Sequence, residues 1–290
     1  MKTEIFKGNL TALSPIHHGG NETFGTTKLI LALPTIIKNP DTGEEERDLI
    51  PFIHGNAIRG YLRRLIMADM FDLLDYKLES KKIYHFLFTG GMLEALDSKD
   101  KGAINLTLKK EIRDLLPPIS LLGSAIGNQM IEGKLKVGNG EIVCSETKHY
   151  LEDFNDNTFG AYNLRDIDFG TRLDDLKGDT EETNDKKKKD EKEQHTQMMY
   201  EFEVLIRGTK FTHEFILHDC DEVEKACFVR MLNLWKERPY IGGKSGTGYG
   251  KVGIDYKELN KESDTTYLDF INDNKEKIIN LIEELNKIWK

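Results

Sequence analysis

Residues 240–252 read YIGGKSGTGYGKV, and this run constrains the fold more than any other. Five of its thirteen residues are glycine, two are lysine and none is acidic. Ordered glycine is entropically expensive, so so many in one run implies tight turns or close backbone approaches. An amphipathic helix precedes it, DEVEKACFVRMLNLWKE at 221–237, with acids in its first turn as the helix dipole favours. A short strand, KVGIDY, follows. A phosphate-binding P-loop needs the reverse order, strand then helix, and a glycine where Arg238 stands. Gly246, Gly248 and Gly250 are spaced GxGxG, which is not a dinucleotide fingerprint. Two readings stay open: a plain glycine turn, or a loop whose amides and lysines meet an extended phosphate backbone.

The rest of the chain is read by periodicity. TEIFKGNLTALS at 3–14 alternates as a strand and ends at Ser14-Pro15. HHGGN at 17–21 reads as a loop, and 27–37 as a strand or buried loop broken by Pro34. NPDTGEEERD at 39–48 is a turn. A helix is expected over about 56–76, with Asn56 as its N-cap and Ile58, Tyr61, Leu62, Leu65, Ile66 and Met70 on its apolar side. Residues 77–118 suggest a small helical insertion, and KLKVGNGEIVC a strand. YEFEVLIRGTKFTHEFILH at 200–218 has the look of a hairpin turning at Arg207-Gly208. The end, 266–289, reads as a helix. Strand, helix, strands, helix, strand is a split βαβ pattern, so the expected class is α+β with a ferredoxin-like core.

Charge narrows the function. The net charge is −9 and the pI about 5.5, which on its face disfavours nucleic acid. Yet residues 49–68 hold three arginines and no acid, and 238–254 hold one arginine, two lysines and no acid. Such segments can meet a polyanion locally within an acidic chain. Residues 174–197 carry nine acids, six lysines and one large apolar residue, so no core can form there and a mobile loop is expected. The sequence shows no membrane-spanning apolar run and no signal-peptide core. Three cysteines lack metal or disulfide spacing, and a reducing cytoplasm is the expected setting.

Candidate residues follow from these segments. His17 and His18, adjacent and without HxxxH spacing, make a poor zinc pair. They could serve as phosphate or base contacts, as turn residues, or as an acid/base pair for RNA cleavage. Arg59, Arg63 and Arg64 crowd the start of the helix with no acid spaced to pair with them. They make either a solvated face or a phosphate site, since bound phosphate would relieve their repulsion with the helix dipole.

Four segments in order carry a resemblance: SPIHHGG, IPFIHGNAIRGYLRRLI, PISLLGSAIGNQMIEGKLKVGNGEIV and YIGGKSGTGYGKV. Together they resemble the RAMP superfamily of CRISPR proteins, and within it the backbone subunits that polymerise along a guide RNA. The resemblance implies a ferredoxin-like (RRM-like) palm, helical fingers near 77–118 and a thumb near 160–203, all in one domain. It implies guide-RNA contacts at His18, Gly19, Gly20, Asn56, Arg59, Arg63 and Arg64. In the glycine loop it implies them at Gly242, Gly243, Lys244, Ser245, Gly246, Thr247, Tyr249 and Lys251. Met198, Met199 and Tyr200 would pack against displaced bases. Expected partners are CRISPR guide RNA, a target RNA or DNA, further copies of the chain and other effector subunits.

The slicing members of the family place an aspartate after the first strand. Here residues 19–38 contain Glu22 as their sole acid, while Asp41 and Asp48 lie beyond. Gly140-Glu141 replaces the family's Asp-Ala. Both departures look like type IV or divergent backbone proteins that bind without cutting, with no cofactor. The alternatives are a magnesium-dependent target-RNA ribonuclease using Glu22, Asp41 or Asp48, a guide-processing ribonuclease using His17 or His18, or a capping subunit present once per complex.

Overall fold

A computed structural model describes residues 2–39, 42–93, 105–127, 129–151, 159–172 and 198–288. The expected mobile loop at 174–197 and Asp41 lie outside the described residues. Strand β1 (Thr3–Ala12) turns Phe6, Leu10 and Ala12 inward, as its alternation requires. Strands β2 (Gly19–Phe24), β3 (Thr27–Ile30), β4 (Ala32–Lys38) and β5 (Glu45–Ile53) follow. Part of the expected HHGGN loop is thus strand, and the turn after Lys38 is shorter than expected. Helix α1 (Gly55–Leu74) buries Ile58, Leu62, Leu65, Ile66 and Met70. Next come α2 (Lys81–Tyr84), β6 (Gly91–Leu93), α3 (Leu106–Leu115), α4 (Pro117–Leu122), β7 (Ser124–Gly127) and β8 (Gln129–Ile131). The chain continues through β9 (Leu135–Val137), β10 (Gly140–Ile142), β11 (Arg165–Arg172), β12 (Met198–Leu205) and β13 (Lys210–His218). It closes with α5 (Glu222–Glu237), β14 (Val252–Asp255), α6 (Thr265–Asp273) and α7 (Lys275–Ile288).

The architecture is mixed α+β. Seven strands form the large sheet in the order β14-β1-β13-β10-β5-β4, with β9 also pairing β13. Pro34 is tolerated because β4 is the edge strand. Helices α1 and α5 pack together on one face. There Phe6 and Phe215 meet Phe228 at ring distances of 5.6 and 5.1 Å, and Trp235 is fully buried. Each such large side chain contributes about 1.5–3 kcal/mol on burial. Helix α5 opens with a capping box between Asp221 and Glu224. Arg230 on α5 grips Asp69 of α1 and Asp264 before α6, which fixes three helices to one another.

Four expectations change. The runs flanking Arg207-Gly208 are not a hairpin: β12 pairs β11 and β3, whereas β13 pairs β1, β9 and β10. The turn hands the chain from one sheet to another. KLKVGNGEIVC is two short strands, interrupted where the Gly138 carbonyl meets His213 at 3.0 Å and Asn139 accepts from the Gly55 amide. The C-terminal helix is broken at Asn274, whose side chain bonds back to Phe270. His54, not Asn56, caps α1: its Nδ1 accepts the Asn56 N–H at 3.0 Å.

A second sheet, β11-β12-β3-β2, stands beside the first. β11 and β12 pair along their whole length, from Arg165 opposite Leu205 to Arg172 opposite Met198. Among the described residues no helix is long and apolar enough to cross a membrane.

Candidate nucleic-acid interface

The glycine loop is fastened along the segment that follows β1. The Gly243 amide donates to the His17 carbonyl and the Gly250 amide to the Pro15 carbonyl, both at 2.8 Å. The Lys251 amide reaches the Ser14 hydroxyl. Gly242 and Gly250 are required by this junction. Both have φ near +80°, and an added Cβ would lie 2.6 Å from the His17 carbonyl oxygen and 2.1 Å from that of Ile241. Their geometry is that of a backbone crossing, and Gly242 also lines the adjoining cleft. Gly246 is different: its Cβ position is open and its φ is not positive. At this tip, Thr247 and Tyr249 donate to the Lys244 carbonyl and Gly248 to that of Ser245. Among the described residues, that leaves the Lys244, Ser245 and Gly246 amides as donors for a ligand.

The second sheet holds the loop from the other side. The Lys244 ammonium lies over the rings of Tyr200 and Phe202, at 4.3 and 4.0 Å. Tyr249 sets its ring edge-on to Phe202 and donates its hydroxyl to Asp168 at 2.6 Å. That bond, with burial, pushes the Tyr249 hydroxyl up to about 12. Tyr249 is thus a brace between loop and sheet rather than a free ring for a base. Lys251 keeps its side chain exposed.

The histidines are internal ties. His17 is 6% exposed, packs on Phe202 and bonds through Nδ1 to the Glu203 carbonyl at 2.9 Å. Burial lowers its pKa, that carbonyl opposes the shift, and Lys244 and Lys28 add to it. His18 accepts the His54 amide at Nε2. Burial, with His54 and His17 nearby, drops it to about 4. A neutral imidazole held as an acceptor on the helix cap adds no positive charge to the cleft at neutral pH. Gly19 and Gly20 let β2 pass close to Lys28 and to Leu31.

The arginines divide. Arg63 is 6% exposed and donates to the carbonyls of Leu122 and Gly123 at 2.8 and 2.9 Å. Arg59 donates to Leu135 and Leu122. Both guanidiniums therefore cap the C-terminal end of α4, where helical carbonyls lack partners. Burial lowers Arg63 to about 10 and lowers Arg59 as well. Neither sits on a free face, contrary to expectation. The missing acids are replaced by backbone oxygens. Arg64 alone of the three is exposed, with its guanidinium 5.9 Å from the Tyr61 ring.

A cleft of about 380 Å³ gathers the three segments singled out in the sequence. His17, His18 and Gly19 form one wall, Asn56, Gly60, Tyr61 and Arg64 another, and Tyr240, Gly242, Gly243 and Ser245 a third. Lys28 of β3 completes the lining. The sequence reading missed Lys28, although one lysine in the apolar run 27–37 must reach solvent. A larger cavity of about 510 Å³ lies on the face of the large sheet that carries Lys7, Asn9 and Glu214. It is lined by Glu141, Glu214, Asp255 and Glu258 against Lys7 and Lys257. Its sign is wrong for a polyanion, so the smaller cleft is the candidate interface.

Other expected residues fall elsewhere. Met199 is exposed on β12 and opposes Thr171, so it alternates away from the face that carries Tyr200. Met198 begins β12. Glu22 is exposed on β2 and Asp48 on β5, in different sheets, and Asp48 accepts the Leu49 amide. Among the described residues, no three His, Cys, Asp or Glu side chains gather as a metal-holding set.

No curated protein sequence matches. Among solved structures the chain is similar to one from a structure described as a Type IV-B CRISPR complex. The two share 21% sequence identity with a TM-score of 0.58, over 89% of this chain and 93% of that one. At that identity the likeness concerns the fold. The family model for the RAMP superfamily matches residues 9–253, which include all four motif segments, and the chain belongs to the RAMP superfamily.

Proposed function

We propose that this chain is a guide-RNA-binding backbone subunit of a CRISPR effector complex. It would hold the guide for pairing with a target RNA or DNA and oligomerise along it without cutting. The observation that carries this reading is the cleft in which the post-β1 segment, the start of α1 and the glycine loop meet. Lys28 and Arg64 supply charge there, Lys244 stands beside it, and the loop tip offers amides. Such contacts grip phosphates without reading sequence, as a subunit serving many guides needs.

The strand order supports a ferredoxin-like palm. β1, α1, β9–β10, β13, α5 and β14 run βαββαβ, with β14-β1-β13-β10 adjacent in the sheet. We assign residues 77–118 to fingers and the β11–β12 pair to the thumb. Tyr200, under Lys244, is the aromatic surface nearest the glycine loop for a base.

The test is to purify the native complex and weigh it with its nucleic acid. RNA of regular length and several copies of this chain are expected. A complex without RNA would end this reading, and one copy per complex would favour a capping subunit. Magnesium-dependent cuts in a complementary RNA, lost in Glu22→Gln or Asp48→Asn, would replace it with the slicing reading.

A further inference from the structure

The cleft carries one hydrogen-bonding atom of the opposite kind to the rest of its ionic lining. Lys28 and Arg64 only donate, and a phosphate, which only accepts, matches them. His17 lines the same cleft. Its Nδ1 lies 2.9 Å from the Glu203 carbonyl oxygen. A carbonyl can only accept, so the proton of the neutral imidazole is on Nδ1 and Nε2 carries a lone pair. The ring is neutral at neutral pH: burial lowers its pKa, and Lys244 and Lys28 outweigh nothing but add to that fall, against the carbonyl bond. Among the described residues nothing donates to Nε2. A buried acceptor of this kind is repelled by phosphate oxygens and matches a donor.

Gly19 keeps the place beside that atom open. A Cβ on Gly19 would lie 3.0 Å from His17 Nε2, which is hydrogen-bonding distance, and 2.9 Å from Lys28 Cε. The backbone there does not call for glycine, since its φ is not positive. The absent side chain instead leaves room between the imidazole and the lysine. A cation and an acceptor thus stand side by side, and the ligand that fits them offers an acceptor and a donor side by side. In the backbone of a polynucleotide the phosphate oxygens accept and the ribose 2′-hydroxyl donates, and DNA lacks that hydroxyl. Base edges also donate, but their donors change with the base. A subunit serving many guides cannot depend on them.

We propose that His17 Nε2 accepts a hydrogen bond from the 2′-hydroxyl of a nucleotide whose phosphate Lys28 holds, and that this contact makes the cleft select ribose over deoxyribose. The inference rests on the guide-RNA reading and adds the atom that distinguishes RNA from DNA. His17 acts in it as a neutral reader of the sugar, neither a cation for phosphate nor an acid. A deoxyribose at this place leaves a buried lone pair without its donor, which costs about tenfold in affinity.

The test measures binding of the full chain to uridine oligomers of about eight nucleotides that differ only in the 2′ substituent: hydroxyl, hydrogen or fluorine. Fluorine keeps a ribose-like sugar pucker but cannot donate. The wild type should bind the hydroxyl oligomer about tenfold more tightly than either of the others. His17→Phe keeps a ring and removes both nitrogens, and should bring the preference within about twofold. That variant also loses the bond to Glu203, so Gly19→Ala is the second: it keeps both nitrogens, sets a Cβ at Nε2 and should reduce the preference about threefold or more. The preference is a ratio read on folded protein, so partial unfolding of a variant does not move it. A hydroxyl preference that survives either variant overturns the proposal. So does equal binding of the oligomers by the wild type, and both results leave the guide-RNA reading standing. A preference that changes when adenosine or cytidine replaces uridine would place a base edge at Nε2 and overturn the proposal as well. Failure of the wild type to bind any oligomer at low salt would refute the guide-RNA reading and this inference with it.

Discussion

The two cavities of this protein differ in a way that size does not capture. The larger sits on the open face of the large sheet and is ringed by Glu141, Glu214, Asp255 and Glu258. The smaller lies where the glycine loop crosses the segment after β1, and its ionised lining is Lys28 and Arg64. A broad sheet face invites the expectation that nucleic acid lies on it. Here that face has the wrong sign, and the cleft at the loop junction has the right one. Sign and free backbone donors, rather than volume, select the site.

The largest effect that would break this comparison is charge reversal. Lys28→Glu with Arg64→Glu should cost about 100-fold in RNA affinity and reduce the salt slope by about two. Glu214→Lys with Asp255→Lys on the open face should change affinity by no more than about threefold. Binding titrations at several salt concentrations check both. The next effect separates neighbouring arginines. Arg63→Met leaves the Gly123 carbonyl without its donor and the Leu122 carbonyl with Arg59 alone, and should cost about 2 kcal/mol of stability, read by denaturant unfolding. Arg64→Met should stay within about 0.5 kcal/mol of wild-type stability and weaken RNA binding instead.

What could be read in the sequence follows from where each kind of information resides. The periodicity of β1 and α1 is local, and both elements form as expected. The four motif segments identify the family because glycines at crossings, such as Gly242 and Gly250, leave a pattern. The roles of Arg59 and Arg63 were not legible, because their partners are main-chain oxygens and every residue has one. The Arg207-Gly208 turn misled for a related reason: a turn signal says that the chain bends, not which strand it then meets. His54 was overlooked as a cap because Asn56 is the better capping residue by type. Lys28 could have been found from its isolation in an apolar strand.

Smaller effects sharpen the account of the loop. Gly242→Ala places a Cβ against the His17 carbonyl at positive φ and should cost about 1.5 kcal/mol. Gly246→Ala, in open space, should leave stability within about 0.5 kcal/mol. Thermal unfolding of the two variants distinguishes crossing from tip. The smallest effect is with pH. His18 titrates near 6.5 when unfolded and is held down to about 4 in the fold. Between these values the unfolded chain binds a proton that the folded site refuses, so stability falls as pH drops through that window. His213 is depressed in the same direction, also to about 4, so the readout is a difference. His18→Gln should flatten the pH dependence relative to wild type without abolishing it.

Ultraviolet cross-linking of bound RNA, followed by mass spectrometry of the adducts, addresses the central claim most directly. The account predicts adducts in peptides from the three walls of the cleft, with Tyr61 and Tyr240 as the principal aromatic sites. Adducts concentrated at Tyr150 and the peptides around Gly138–Glu141 and Thr212–Glu214 would place the RNA on the open sheet face and contradict it.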